Sequence, residues 1–129
     1  MAREEIIFKL SMLEQQSEEI KKNLEELDGQ SNDLDNLKQS LEKLGSDKGK
    51  EILANLGRGV FLKSKASDEK VFVNVGSKIL VRKSFSEASE IIDKQLVEIE
   101  IIKKDLMNNL NSLNLELQDL VEQAQKEKD

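Results

Sequence analysis

Cysteine and histidine are both missing from this 129-residue chain, and so are proline, tryptophan and tyrosine. Without cysteine there is no disulfide framework and no thiolate chemistry, and without either residue no Cys/His zinc site. Without histidine the chain has lost the side chain best suited to proton transfer near neutral pH. The lack of proline leaves long helices uninterrupted. Four phenylalanines are the only aromatics, 3% of the chain, too few for a globular core of ordinary thickness. No apolar run approaches the roughly 20 residues of a membrane span. The opening MAREEIIFKL carries acids and does not read as a signal peptide. These absences predict a soluble cytoplasmic chain that uses no cofactor or metal, touches no membrane and is not an enzyme.

What the chain does have is charge, on 36% of its residues, in a distinct order. Residues 1–47 hold twelve acids and six bases, residues 48–86 three acids and nine bases, and residues 87–129 eleven acids and five bases. A basic centre is one signature of nucleic-acid binding, but acidic arms on both sides repel phosphate, so no nucleic-acid partner is expected. Lysines that keep exposed strand edges from pairing account for the same pattern.

The two acidic segments carry a helical repeat. Ile6, Leu13, Ile20, Leu27, Leu34 and Leu41 recur every seven residues, with Leu10 and Leu24 four after members of the series. This is the a/d seam of a coiled coil, interrupted by Ser17, Ser31 and Lys38. Leu37 and Leu44 suggest that the apolar face drifts near the end. In the last segment Ile92, Ile99, Leu106, Leu113 and Leu120 form one series, completed by Leu96, Leu110, Leu117 and Ala124 with Lys103 as the exception. Ser84-Phe85-Ser86-Glu87 reads as a capping box opening this second helix. Helices over 1–47 and 85–127, each roughly 60 Å long by helical rise, fold back as an antiparallel coiled-coil hairpin that brings both chain ends to one tip.

Between them lie short alternating stretches rich in β-branched residues. EILANL (51–56) is the least strand-like, while GVFLKSK (59–65), KVFVNV (70–75) and KILVRK (78–83) fit strands. Gly57-Arg58-Gly59, Ala66-Ser67-Asp68-Glu69 and Gly76-Ser77 supply turns, giving two β-hairpins over 51–83. So small a sheet has no second layer from its own chain and leaves edges open, so it is expected to assemble with other subunits. The candidate assembly residues are Val60, Phe61, Leu62, Val71, Val73, Val75, Ile79 and Val81. The fold class expected is mainly α with a small β part, 1–129 forming a single domain.

Over residues 53–88 the chain resembles the prefoldin family, alpha class, whose members carry two hairpins between coiled-coil arms. LGRGVFLKSK is similar to that class's second strand and its Leu-Gly-x-Gly lead-in, and DEKVFVNVGSKILVRKSFSEA to its second hairpin and helix opening. Asn55 stands where a proline is common before the Leu-Gly, and Lys78 where a second turn glycine is common. The resemblance implies an ATP-independent chaperone whose hairpins assemble into an oligomeric β-barrel platform. It implies beta-class partners, two alpha with four beta subunits, or self-assembly, and delivery of unfolded polypeptides to a group II chaperonin.

Other motifs fail on their own terms. GSDKGKE (45–51) is one residue short of a P-loop, has Glu51 where Ser or Thr binds magnesium, and follows no strand. DLDNLKQSLEKL (33–44) lacks the turn glycine of a calcium loop. Apolar residues off the seam are more informative. With Ile6 at position d, Ile7, Phe8 and Met12 fall at e, f and c, and on the second helix Leu115 and Val121 fall at f and e. All five lie toward the free tip, whereas Ile101 stands alone mid-arm. A clustered apolar surface marks a binding site, for unfolded polypeptides or for a fixed helical partner, and the resemblance favours the former. The rival function is a self-assembling scaffold or filament that holds no unfolded chain.

Overall fold

The computed structural model describes residues 2–46, 49–66 and 70–126. The expected helix ends at residues 47 and 127, the turn at 67–69 and part of GSDKGKE fall outside them. The order of elements is α1 (Arg3–Ser46), β1 (Glu51–Gly57), β2 (Val60–Lys65), β3 (Lys70–Asn74), β4 (Leu80–Ser84) and α2 (Phe85–Lys126). Acids in the first turn of each helix and a lysine in the last complement the helix dipole. No described helix is long and apolar enough to cross a membrane. The chain divides into two compact units, one of residues 1–31 with 97–129 and one of residues 32–96.

In the first unit the seam is where the heptads place it. Ile6 is fully buried, Ser17, Ile99, Leu110 and Leu120 are buried, and every other seam residue is at least half-buried. Lys103 takes a seam position, yet its ammonium reaches Asp28 of α1 at 2.6 Å and Glu100 at 3.3 Å. Its hydrogen bonds to Asp28 and Glu100 raise its pKa above the ordinary lysine value. In the second unit Lys38, the seam lysine of α1, pairs with Asp93 of α2 at 2.7 Å and is shifted upward by that hydrogen bond. In both units, then, a half-buried seam lysine places its head on an aspartate of the other helix. Such polar seam residues favour one register over its neighbours more than they add stability. The expected drift of the apolar face involves Leu44, which is half-buried, while Leu37 remains exposed.

The second unit holds both hairpins. β1 pairs with β2 and β3 with β4, each pair antiparallel, as two separate two-stranded sheets. Leu41, Ala88 and Ile92 form a buried cluster, and Val71, Val73, Leu34, Phe85 and Leu96 pack against it. The expectation that the sheet lacks a second layer from its own chain is therefore corrected for one face of the second hairpin. Its valines alternate with Phe72, and the alternation turns them onto the two helices. At the other end of β4 the capping box forms as expected: Glu87 N–H donates to Ser84 Oγ and Ser84 N–H to Glu87 Oε1, both at 3.1 Å.

The two hairpins are also the same motif twice. Offset by 19 residues, Asn55-Leu56-Gly57-Arg58-Gly59-Val60 aligns with Asn74-Val75-Gly76-Ser77-Lys78-Ile79. In each, the Asn side chain accepts a hydrogen bond from the glycine two residues on, at 2.8 Å in the first and 2.9 Å in the second. The glycine itself has φ of 110° or 118°, and two left-handed residues follow, Arg58 and Gly59 or Ser77 and Lys78. This is the two-residue turn whose twist matches a hairpin. It shortens the expected strands: β3 stops at Asn74 and β4 starts at Leu80, so Val75 and Ile79 belong to the turn, where Val75 N–H donates to Ile79 O at 3.0 Å.

Gly59 carries left-handed φ without strain, whereas Lys78, with φ of 62°, does not. Lys78→Gly should therefore stabilise the second hairpin by about 0.5–1 kcal/mol. Gly59→Lys should destabilise the first by a similar amount, through the backbone alone, because nothing lies within 4 Å of a Cβ built there. Denaturant midpoints at one protein concentration check both, and equal shifts of the same sign would contradict the turn assignment.

Candidate interaction surfaces

Cross-strand pairing fixes which hairpin residues share a face. In the first hairpin Leu53 lies opposite Lys63, and Phe61 opposite Asn55. In the second Phe72 lies opposite Arg82, and Leu80 opposite Asn74. The repeat thus puts one Leu and one Phe on a diagonal in each hairpin, with the two residue types exchanged. These four side chains are 64%, 54%, 68% and 62% exposed for Leu53, Phe61, Phe72 and Leu80. The opposite faces are the covered ones: Ile52, Ala54 and Ser64 in the first hairpin, Val71, Val73, Val81 and Lys83 in the second, are half-buried.

Of the assembly residues named from sequence, Val60, Phe61, Leu62, Val75 and Ile79 are exposed. Val71, Val73 and Val81 sit on the covered face of their own chain. Sequence reasoning passed over Leu53, Leu56, Phe72 and Leu80, which are among the most exposed apolar residues of the sheet. Counting by twos from the paired asparagines would have found Leu53, Phe72 and Leu80, though not Leu56, which lies at the register irregularity beside Asn55.

In the first unit Ile7, Phe8, Met12, Leu115 and Val121 are all exposed, as their heptad letters require. They do not form one patch. Met12 lines an open groove with Lys9, Leu13 and Gln16 of α1 and Glu116, Asp119, Leu120 and Gln123 of α2. Lys9, Gln16, Glu116 and Gln123 are g residues, so this is the g side of the pair. Ile7 and Val121 are both e and flank the opposite side, while Phe8 and Leu115, at f, face away from the seam. Val97, Ile101, Ile102 and Met107 add further exposed apolar side chains on α2, so Ile101 has company that the tip-centred reading did not anticipate.

The capping box also shifts a titration. The Ser84 backbone N–H, and then its hydroxyl, hold the Glu87 carboxylate below its ordinary pKa, with Lys83 and Lys70 adding to the effect. Because the folded pKa is lowered, this stabilisation is present above the unfolded value and is lost as pH falls through the folded one. Carbon NMR of the Glu87 carboxyl should give a midpoint below the ordinary glutamate range, and Ser84→Ala, which removes the hydroxyl but keeps the backbone N–H, should move it part of the way back up. A midpoint unmoved by that substitution would mean that the hydroxyl takes no part in holding the carboxylate.

A family model for prefoldin subunits matches residues 13–128. Among curated proteins, the prefoldin subunit alpha of Thermofilum pendens is 32% identical over 114 residues, covering 87% of this chain and 88% of that one. The prefoldin subunit alpha of Archaeoglobus fulgidus is 30% identical over 125 residues, covering 95% and 86%. Among solved structures, filamentous PFD from Methanocaldococcus jannaschii, determined by cryo-EM, superposes with a TM-score of 0.75 at 20% identity, covering 93% of this chain and 98% of that chain.

Proposed function

Because the chain belongs to the prefoldin family, in its alpha class, we propose that it is a subunit of an ATP-independent chaperone. It captures unfolded polypeptides on the apolar residues near its two ends and passes them to a group II chaperonin. The observation that carries this reading is the exposure of Ile7, Phe8, Met12, Leu115 and Val121, none of which the coiled-coil seam needs. Residues 1–129 act as a single prefoldin-like domain working in the cytoplasm, and the chain is not an enzyme. Its hairpins join it to other subunits, in the family's pattern of two alpha with four beta chains, closing a β-barrel platform. Val60, Phe61 and Leu62, exposed on β2, and Val75 and Ile79, exposed at the second turn, are the contact residues, with Val71, Val73 and Val81 supporting them from beneath.

A second reading, a self-assembling scaffold or filament without transfer of unfolded chains, is favoured by the fold's likeness to a filamentous relative. One measurement separates the readings, and a second tests the assembly surface that both require. The full chain, with a beta-class partner, should suppress aggregation of a chemically unfolded test protein without ATP; a scaffold should not. Replacing residues 51–83 with a short Gly/Ser linker should leave helical hairpins that no longer assemble. If light scattering found the shortened chain at the parent's oligomer mass, the arms rather than the sheet would drive association.

A further inference from the structure

Exposed apolar side chains account for adhesion, but not for the polar lining of the groove beside Met12. We infer that the g side of the first unit is a track for one extended segment of unfolded polypeptide, bearing lysine or arginine among its apolar residues. The inference rests on the reading that the chain captures unfolded protein. It adds where one segment lies and which chemistry recognises it.

Three observations carry it, the first of them shape. A second open groove is lined by Gln16, Glu19 and Ile20 of α1 with Asn109, Ser112 and Leu113 of α2, and it shares Gln16 with the groove at Met12. Every residue lining either groove is a c, d or g residue, so the two run on along one side of the helix pair. Residues 109–123 of α2 span roughly 21 Å by helical rise, the length of about six extended residues.

The second observation is how charge is divided between the two sides. The e positions of this unit include Glu14, Lys21, Asp28 and Glu100, and the seam lysine Lys103 turns its ammonium to the last two. The g positions hold instead five amides, Gln16, Asn23, Gln30, Asn109 and Gln123, all exposed. A side-chain amide offers both a donor and an acceptor, which is what a peptide unit needs. An unfolded segment presents peptide units with both groups unpaired. Pairing of this kind reads no side chain, which suits unfolded chains of many sequences.

The third observation is the sign of the flank. The charged residues lining the two grooves are Glu19, Glu116 and Asp119, against Lys9 alone. Charges across an interface select the partner's sign more than they add affinity. A segment with cations among its apolar residues meets three carboxylates there, and Met12, Leu13 and Leu120 for its apolar side chains. The arm of a second copy would bring its own acids, twelve in residues 1–47, against the same flank and is disfavoured.

Labelled peptides bound to the full chain and followed by fluorescence anisotropy test the inference. A peptide of repeating Ser-Leu-Lys should bind about tenfold more tightly than one of Ser-Leu-Glu at about 0.05 M sodium chloride, and the preference should shrink toward about 1 M. Equal affinities, or preference for the acidic peptide, would overturn it. Methylating alternate backbone nitrogens of the lysine peptide should weaken binding severalfold. An unmoved affinity would assign this side to a helical partner, whose backbone is already paired, and is equally fatal.

Substitutions then locate the effect. Glu19→Gln, Glu116→Gln and Asp119→Asn together should remove most of the preference for lysine. The same loss of charge through Glu14→Gln, Glu25→Gln and Glu122→Gln, at e, b and f, should leave it in place. Equal loss from both sets would make the preference a property of net charge and overturn the track. Replacing Gln16, Asn109 and Gln123 by alanine makes the grooves more apolar, so adhesion alone predicts equal or tighter binding, whereas the track predicts weaker binding. Alanine favours helix, and circular dichroism checks the fold; should a variant not fold, the peptide comparisons on the unaltered chain still decide. Protection of unfolded protein without these signatures would leave the capture reading standing and remove only the track. A parent chain that holds neither peptide nor unfolded protein would remove both.

Discussion

Replacing Ile7, Phe8, Met12, Leu115 and Val121 together by serine should abolish protection of an unfolded protein while leaving helix content and oligomer mass as they were. None of the five is a seam residue and none lies in a hairpin, so neither the coiled coil nor the assembly surface is touched. What is lost is apolar area offered to an extended chain, worth about 25 cal/mol for each Å² that binding would bury. The side chains lie on three sides of the helix pair rather than in one pocket. No single one grips strongly, and useful affinity has to come from several arms holding one chain at once. Single substitutions should therefore have small effects and the fivefold change a collapse of activity. Serine lowers helix propensity slightly at each site, so helicity is compared well below the melting transition. Full protection by the fivefold variant would move capture elsewhere, with the exposed Val97, Ile101, Ile102 and Met107 of α2 the next residues to change.

Much of this architecture is legible in the sequence because it is periodic or local. A seven-residue repeat places every seam residue in the covered set, and it even marks Lys38 and Lys103 as intruders, although not the aspartates that receive them. The capping box is legible because its two partners are three residues apart. The turns are harder. Alternation continues through Val75 and Ile79, and nothing in a period of two announces that Ser77 and Lys78 adopt a left-handed backbone. The match of NLGRGV to NVGSKI would have shown it, since the first copy still has glycine where the second has Lys78. The covered face of the second hairpin was not legible, because Leu41, Ala88 and Ile92 come from distant parts of the chain. The residues proposed to bind unfolded chains were legible only as exposed positions. Which of them share a side depends on how e, f and g of one helix meet those of the other.

Ile92→Asp should be the most damaging single change in the second unit, and Gln95→Asp, three residues on, should be nearly silent. Ile92 is 5% exposed in the cluster with Leu41 and Ala88, and the residues packed against that cluster, from Val71 and Val73 to Phe85, are apolar. A carboxylate there finds no described partner among them and must stay unpaired or bind a proton, and stranding a buried charge costs about 3–5 kcal/mol. Loss of the isoleucine's own packing adds to this. Against a typical total of about 5–15 kcal/mol for a folded domain, that is enough to unfold the unit near physiological temperature. It should also release the second hairpin, whose valines lie against the same cluster, so oligomer mass should fall together with helicity. Gln95, by contrast, is exposed, and the same aspartate there should change stability by no more than about 0.5 kcal/mol. Thermal melts followed by circular dichroism, with light scattering on the same samples, decide the matter. Equal loss from both substitutions would contradict the helical register, and loss of helicity without loss of assembly would uncouple the hairpin from the core on which its valines rest.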